Sequence, residues 1–344
     1  MTNEFPILDD FSLYLRDKGR KESTIIRYVY DIQHFFLFVQ KEKNLSSTTI
    51  WKVIEEKDYQ SFISYLGSKK NCSENTLYKT NIVLHTFQKF LNQYFLSETN
   101  FLYKMETNKN KKSQLKETDF LNELEYQKII QSLHSLDGFT EHQLEARKKL
   151  KLRNLSIFFL LIQYGITLHE LTSVSMNDIS FIKNELYIKN KKDGYRTISL
   201  SQNAKLLLYS YLHSIPEPVR PRYQTTDPFF VSYDFNRKTF KWVYDTDCPK
   251  RMTAIAVQKL IREQMVRANV RKGICAQTFR NSYILYLIKE DVQLDLILKV
   301  TGNLSKNSFK RYNDFLQTVP QTFIDELSSL NESLWKLDQN IVKQ

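Results

Sequence analysis

The feature that most limits how this chain can fold is a break in its apolar pattern. Residues 99–119 carry Lys104, Lys109, Lys111, Lys112 and Lys116 among Asn, Ser and Thr, a composition that reads as a solvated basic tether. On either side apolar residues recur at helical spacing. The chain therefore reads as two mainly helical domains, 1–98 and 120–344. With 344 residues to share, each has enough chain to bury its own core.

In the first domain the spacing predicts about four helices. One runs from Ile7 to Leu15 and stops at Asp17-Lys18-Gly19, where Gly19 suits a left-handed cap. A long second helix carries Ile25, Val29, Ile32, Phe35, Phe36 and Val39, with Ser23 or Thr24 as its cap. A third passes from about Asp58 through Phe62 and Ile63 to Gly67, and a fourth follows Ser73-Glu74-Asn75. Aromatic residues at this spacing are assigned to packing.

The second domain opens on the amphipathic LNELEYQKIIQSL, then an apolar, buried-type helix from Arg153 to Gln163. Two Ile-, Tyr- and Thr-rich pieces, Glu185–Asn190 and Tyr195–Leu200, flank Lys191-Lys192-Asp193-Gly194, and Asp-Gly signals a β-hairpin. Helices resume at NAKLLLYSYL and AIAVQKLIREQMVRANV, and residues 320–344 predict one more, with Phe323, Leu327, Leu330 and Leu334 on one face.

Fifty Lys and Arg against thirty-eight Asp and Glu give a net charge of +12, which suits a polyanionic partner, above all nucleic acid. No apolar run reaches the roughly 20 residues a spanning helix needs, and the acidic start MTNEFPILDDF does not fit a secretory signal. Three scattered cysteines, Cys72, Cys248 and Cys275, have no metal-ligand spacing and form no disulfide framework, so a reducing cytoplasm is the simplest setting.

The chemistry is concentrated between Cys275 and Tyr312. Gln277-Thr278-Phe279-Arg280-Asn281-Ser282-Tyr283 opens a helix, a second apolar run ends at Thr301-Gly302-Asn303, and Tyr312 stands nine residues beyond Asn303. A guanidinium offers paired donors to phosphate oxygens. A phenol is a usable nucleophile when cations stand near it, and Lys306, Lys310 and Arg311 surround Tyr312 in sequence.

This stretch resembles the end of the catalytic domain of tyrosine recombinases, the phage-integrase and Xer-like family. The family pattern is His-x-x-Arg-His-Ser/Thr-Phe-Ala, then Leu-Gly-His, then a tyrosine nine residues on. Arg280, Gly302 and Tyr312 fall in register, while Gln277 and Asn303 occupy the histidine positions. The family's Thr-Gly-Leu-Arg-x-x-Glu-Leu aligns with Tyr164–Leu171 and keeps Gly165, Glu170 and Leu171, but Thr167 replaces the first arginine. The stretches YLRDKGRKESTIIRYVYDIQHFFLFV and SENTLYKTNIVLHTFQKFL resemble the family's core-binding domain.

The resemblance implies a mainly α fold: a SAM-like four-helix core-binding domain, a basic linker, and an α-rich catalytic domain with a small antiparallel hairpin sheet. It implies DNA strand breakage and rejoining through a 3′-phosphotyrosyl bond, with Tyr312 as nucleophile, Arg280 on the phosphate and Lys191 of the hairpin as general acid. Gln277 and Asn303 would donate neutral hydrogen bonds, and Thr167 marks the degenerate position. Lys192, Arg196, Lys109, Lys111, Lys112, Lys310 and Arg311 are expected to contact DNA. Neither metal nor cofactor is called for. The expected partners are duplex DNA, single-stranded DNA at a nick, and further copies of the chain docked through the C-terminal helix. A diverged integrase of a mobile element fits, as does a relaxase-like nicking enzyme. The alternative is a DNA-binding protein that kept the fold and lost the chemistry.

Overall fold

The computed structural model describes residues 4–95, 114–189, 194–302, 306–320 and 323. Two compact units divide between Lys112 and Ser113.

The first unit is four helices: α1 (Ile7–Asp17), α2 (Glu22–Lys43), α3 (Glu56–Ser68) and α4 (Glu74–Phe95). Their apolar faces close on a phenylalanine-rich centre. Phe5, Phe11, Phe35, Phe36 and Phe87 are fully buried, and Phe11 meets Phe87 edge-on with ring centroids 5.1 Å apart. Each such pair adds about 0.5–1.5 kcal/mol beyond the area it buries. The start of α2 differs from the expectation of a Ser23 or Thr24 cap. The flanking residue is Lys21, which makes no side-chain cap bond, and Glu22 in the first turn pairs with Arg16 at 3.0 Å. A carboxylate there faces the positive end of the helix dipole, which does the work expected of a hydroxyl cap.

The second unit is built around α6 (Glu141–Gln163), which follows α5 (Glu123–His134). Ile157, Phe158, Leu160 and Leu161 are all buried, so the C-terminal half of α6 is apolar on every side and neighbours must surround it. α6 begins twelve residues before the predicted Arg153, because Thr140 and Gln143 form a reciprocal capping box at a start rich in charge. The short α7 (Leu168–Ser173) follows. Next come β1 (Ile179–Ser180), β2 (Glu185–Lys189) and β3 (Tyr195–Ser199), an antiparallel sheet in the order β1-β2-β3 with Leu186 opposite Ile198.

Along α6 lies α8 (Gln202–Ser214). Two small ribbons that the sequence did not announce come next: β4 (Tyr233–Asp234) with β5 (Thr239–Phe240), and β6 (Trp242–Val243) with β7 (Cys248–Pro249). The unit continues with α9 (Ala254–Arg267), α10 (Ala276–Lys289), α11 (Leu294–Thr301) and α12 (Lys306–Thr318). α10 packs on α6, and α11 packs on α10 and β3. The predicted final helix, apart from Pro320 and Phe323, lies outside the described residues. No helix among the described residues is long and apolar enough to cross a membrane.

Candidate active site

Helical spacing puts Gln277, Arg280 and Asn281 of α10 on one side of that helix. Arg280 is only 5% exposed. Its Nη1 donates to the Gly165 carbonyl at 2.5 Å and its Nη2 to the Thr301 carbonyl at 2.7 Å. One guanidinium thus ties the α6–α7 junction to the last turn of α11.

That junction is possible because residue 165 is glycine. Its φ is +54°, and a Cβ there would stand 2.3 Å from Cδ1 of the Tyr283 ring. The backbone angle disfavours a side chain, and the closeness of the Tyr283 ring leaves no room for one.

Thr167 is the N-cap of α7. Its hydroxyl accepts from the Glu170 amide at 3.2 Å and donates to Glu170 Oε2 at 2.8 Å, while the same carboxylate oxygen accepts from the Thr167 amide at 2.7 Å. The Thr-x-x-Glu spacing that builds this box is visible in the sequence. What stands at the degenerate position is therefore a helix cap.

A second arginine enters the cluster from β3. Arg196 was expected on the DNA-facing surface, and the structure corrects this: it is buried, with Nη2 3.0 Å from Glu170 Oε2 and Nη1 donating to the Val300 carbonyl. Strand alternation explains the placement, since Arg196 shares its face with buried Ile198 while Tyr195 and Thr197 are exposed. Arg280 Nη1 lies 4.0 Å from the same carboxylate oxygen. Burial presses the pKa of both arginines downward, Glu170 opposes that, and Arg196 repels Arg280. Two guanidiniums, one carboxylate and the carbonyl end of α11 form one polar knot, with the cations where the helix dipole is negative.

Tyr312 of α12 is also buried, at 5% exposure, and its ring meets Phe120 edge-on at 6.4 Å. Its hydroxyl donates to Asn281 Oδ1 at 2.9 Å. Burial pushes the phenol up to about 12, against the pull of Arg280 and Arg311 and with a further push from Asp119. Arg280 and Tyr312 therefore stand within electrostatic reach of each other inside one unit. Gln277 is exposed, and its Nε2 donates to Asn281 Oδ1 at 2.7 Å.

Of the other expected site residues, Lys310 is exposed and Arg311 half-buried on α12. Lys191, Lys192, Asn303, Lys109, Lys111 and Lys112 lie outside the described residues. Arg153 is buried and donates to the Val231 carbonyl at 3.1 Å, which keeps it in the core. Sequence reasoning missed Asn281, Glu170 and Asp119 as parts of the cluster. Asn281 could have been found, because it stands four residues after Gln277 on a predicted helix. Among the described residues, no group of three or more His, Cys, Asp or Glu could hold a metal ion.

A separate cavity of about 840 Å³ opens between the start of α6, the ribbons and α9, with Lys241, Lys250, Lys259, Arg262 and the aromatic Phe235 at its walls.

A four-helix unit followed by a helical unit with a three-stranded hairpin sheet, a buried arginine on one helix and a tyrosine two helices later together define a class of protein. Residues 8–94 match the Phage integrase, N-terminal SAM-like domain, and residues 119–318 match the Phage integrase family. The chain belongs to the phage integrase family, the tyrosine recombinases.

It is 20% identical to Tyrosine recombinase XerD of Oceanobacillus iheyensis, over 89% of this chain and 92% of that one. It is 25% identical to a Tyrosine recombinase of Thermosipho africanus, over 94% and 99%. The fold is shared with the crystal structure of XerH site-specific recombinase bound to palindromic difH substrate (TM-score 0.63, 17% identity, 90% of this chain and 80% of that one).

Proposed function

We propose that this protein breaks and rejoins DNA strands, with Tyr312 as nucleophile. The phenol oxygen bonds to the phosphorus as the phosphorus–O5′ bond breaks, leaving a 3′-phosphotyrosyl link and a free 5′-hydroxyl. The phenol loses its proton to water, and O5′ gains one from the Lys191 ammonium; rejoining runs the same steps in reverse. Arg280 holds the non-bridging oxygens as charge builds on them, and Gln277 and Asn303 add neutral donors. The substrate is duplex DNA, gripped by the basic cavity wall and by Lys192, Lys310 and Arg311. Copies assemble on it through the C-terminal helix. A diverged integrase acting on mobile DNA is the biological setting this favours.

The observation that carries the reading is the placement of Tyr312 against α10: it and Arg280 are both buried, and its hydroxyl bonds Asn281, the residue next to Arg280. The test is a nicked suicide duplex incubated with wild type and Tyr312→Phe. Wild type is expected to form a covalent adduct and the variant none, with DNA affinity unchanged.

One observation favours a second reading. Thr167 carries no charge, and its hydroxyl is already committed to Glu170. Tight duplex binding without an adduct on any cognate site would establish a DNA-binding protein that retained the recombinase fold alone.

A further inference from the structure

The side chain that organises the nucleophile is one that the strand-transfer chemistry does not itself use. Asn281 is 6% exposed and makes three hydrogen bonds to three different parts of the unit. Its Oδ1 accepts from Tyr312 Oη at 2.9 Å and from Gln277 Nε2 at 2.7 Å, and its Nδ2 donates to the Asp119 carbonyl at 3.1 Å.

The third bond fixes the other two. A main-chain carbonyl has no proton to give, so the amide nitrogen of Asn281 must face Asp119. The oxygen must then face the phenol, and the phenol must be the donor. By the same logic Gln277 presents its nitrogen. The direction of the Tyr312 proton follows from a backbone atom on another segment, without any assumption about side-chain orientation.

We propose that Asn281 is the positioning residue of the site: it holds the Tyr312 oxygen in place with its proton aimed at an uncharged acceptor, and it shares that acceptor with Gln277. The inference rests on the reading of Tyr312 as nucleophile and adds what restrains it. An amide oxygen cannot take the proton, so the phenol stays a phenol while the contact lasts. Attack requires the hydroxyl to leave Asn281. Gln277, which is exposed where Asn281 is not, is the group through which an arriving phosphate reaches this contact. Once the Gln277 amide turns to a phosphate oxygen, Asn281 Oδ1 has one donor fewer. The charged groups that face the phenol are Arg280 on α10, Arg311 on α12 and Asp119 on the turn before Phe120, so the acceptor itself is the neutral member of the set.

The test places 3,5-difluorotyrosine at position 312 of the full-length protein and follows its fluorine resonance against pH. The fluorines make the ring more acidic, which brings its titration into a range where the fold survives, and the signal reports this one ring. Asn281→Asp puts a negative charge at the acceptor and is expected to raise the midpoint by about one pH unit or more. Gln277→Leu alters only an exposed side chain and leaves Oδ1 to the phenol alone, so it is expected to raise the midpoint by a smaller amount and to shift the resonance at neutral pH. If neither variant moves the midpoint or the resonance, Asn281 does not hold the phenol and the proposal is overturned. Adduct formation on the nicked duplex separates this from the function itself. Wild type without an adduct removes the strand-transfer reading, while the fluorine titration still decides the role of Asn281.

Discussion

At the residue scale, the position that departs furthest from the family pattern is also the one with the plainest structural use. Thr167 caps α7 through Glu170, so its replacement by arginine exchanges a cap for a cation. Loss of the cap costs about 1 kcal/mol. A preorganised donor at an oxyanion site is worth on the order of 10² to 10³ in rate. Thr167→Arg is therefore expected to lower thermal stability slightly and to raise the single-turnover rate of adduct formation, read on the nicked duplex. A variant that is less stable and no faster would show that position 167 does not face the phosphate.

At the scale of elements, the knot formed by Glu170, Arg196 and Arg280 joins α7, β3, α10 and the end of α11. The side chains of Arg196 and Glu170 are 3% and 5% exposed, so neither is relieved by water. Glu170→Gln keeps the shape and removes the charge that offsets two buried guanidiniums. It is expected to destabilise the second unit by about 3–5 kcal/mol, measured by urea denaturation. Some of this was legible beforehand. The alternation Tyr195, Arg196, Thr197, Ile198 already assigns Arg196 to the core face, and Thr167 with Glu170 already spells a capping box. The convergence on α11 was not legible, because strand parity names a face but not the helix that will cover it. The ribbons β4 to β7 were missed for a different reason: two-residue strands are too short for any period to show. Asn281 takes the place of the histidine that directly follows the arginine in the family pattern, and an uncharged amide there gives no sign in sequence that it will meet a tyrosine 31 residues on.

At the scale of the whole molecule, each unit has a hydrophobic core of its own, with no residue common to both. The second unit also holds several phenols that burial keeps protonated. Tyr211, Tyr283 and Tyr312 are each pushed up to about 12. An unfolded phenol ionises near pH 10, so between those values the unfolded chain binds fewer protons than the folded one. The stability these groups contribute is fully present below about pH 10 and is lost as pH rises through about 12. Denaturation midpoints are accordingly expected to fall above pH 10, and less steeply in Tyr312→Phe. The basic excess gives a second whole-chain expectation: the logarithm of DNA affinity should fall linearly with the logarithm of salt, by about 0.9 per phosphate neutralised. The end of α11 has one more effect. Arg280 and Arg196 already serve carbonyl oxygens at Gly165, Thr301 and Val300, so a visiting anion competes with fixed acceptors for their attention. An anion seated there must share each guanidinium with those carbonyls or displace them, so its binding is offset by the hydrogen bonds it breaks at the α6–α7 junction and the last turn of α11.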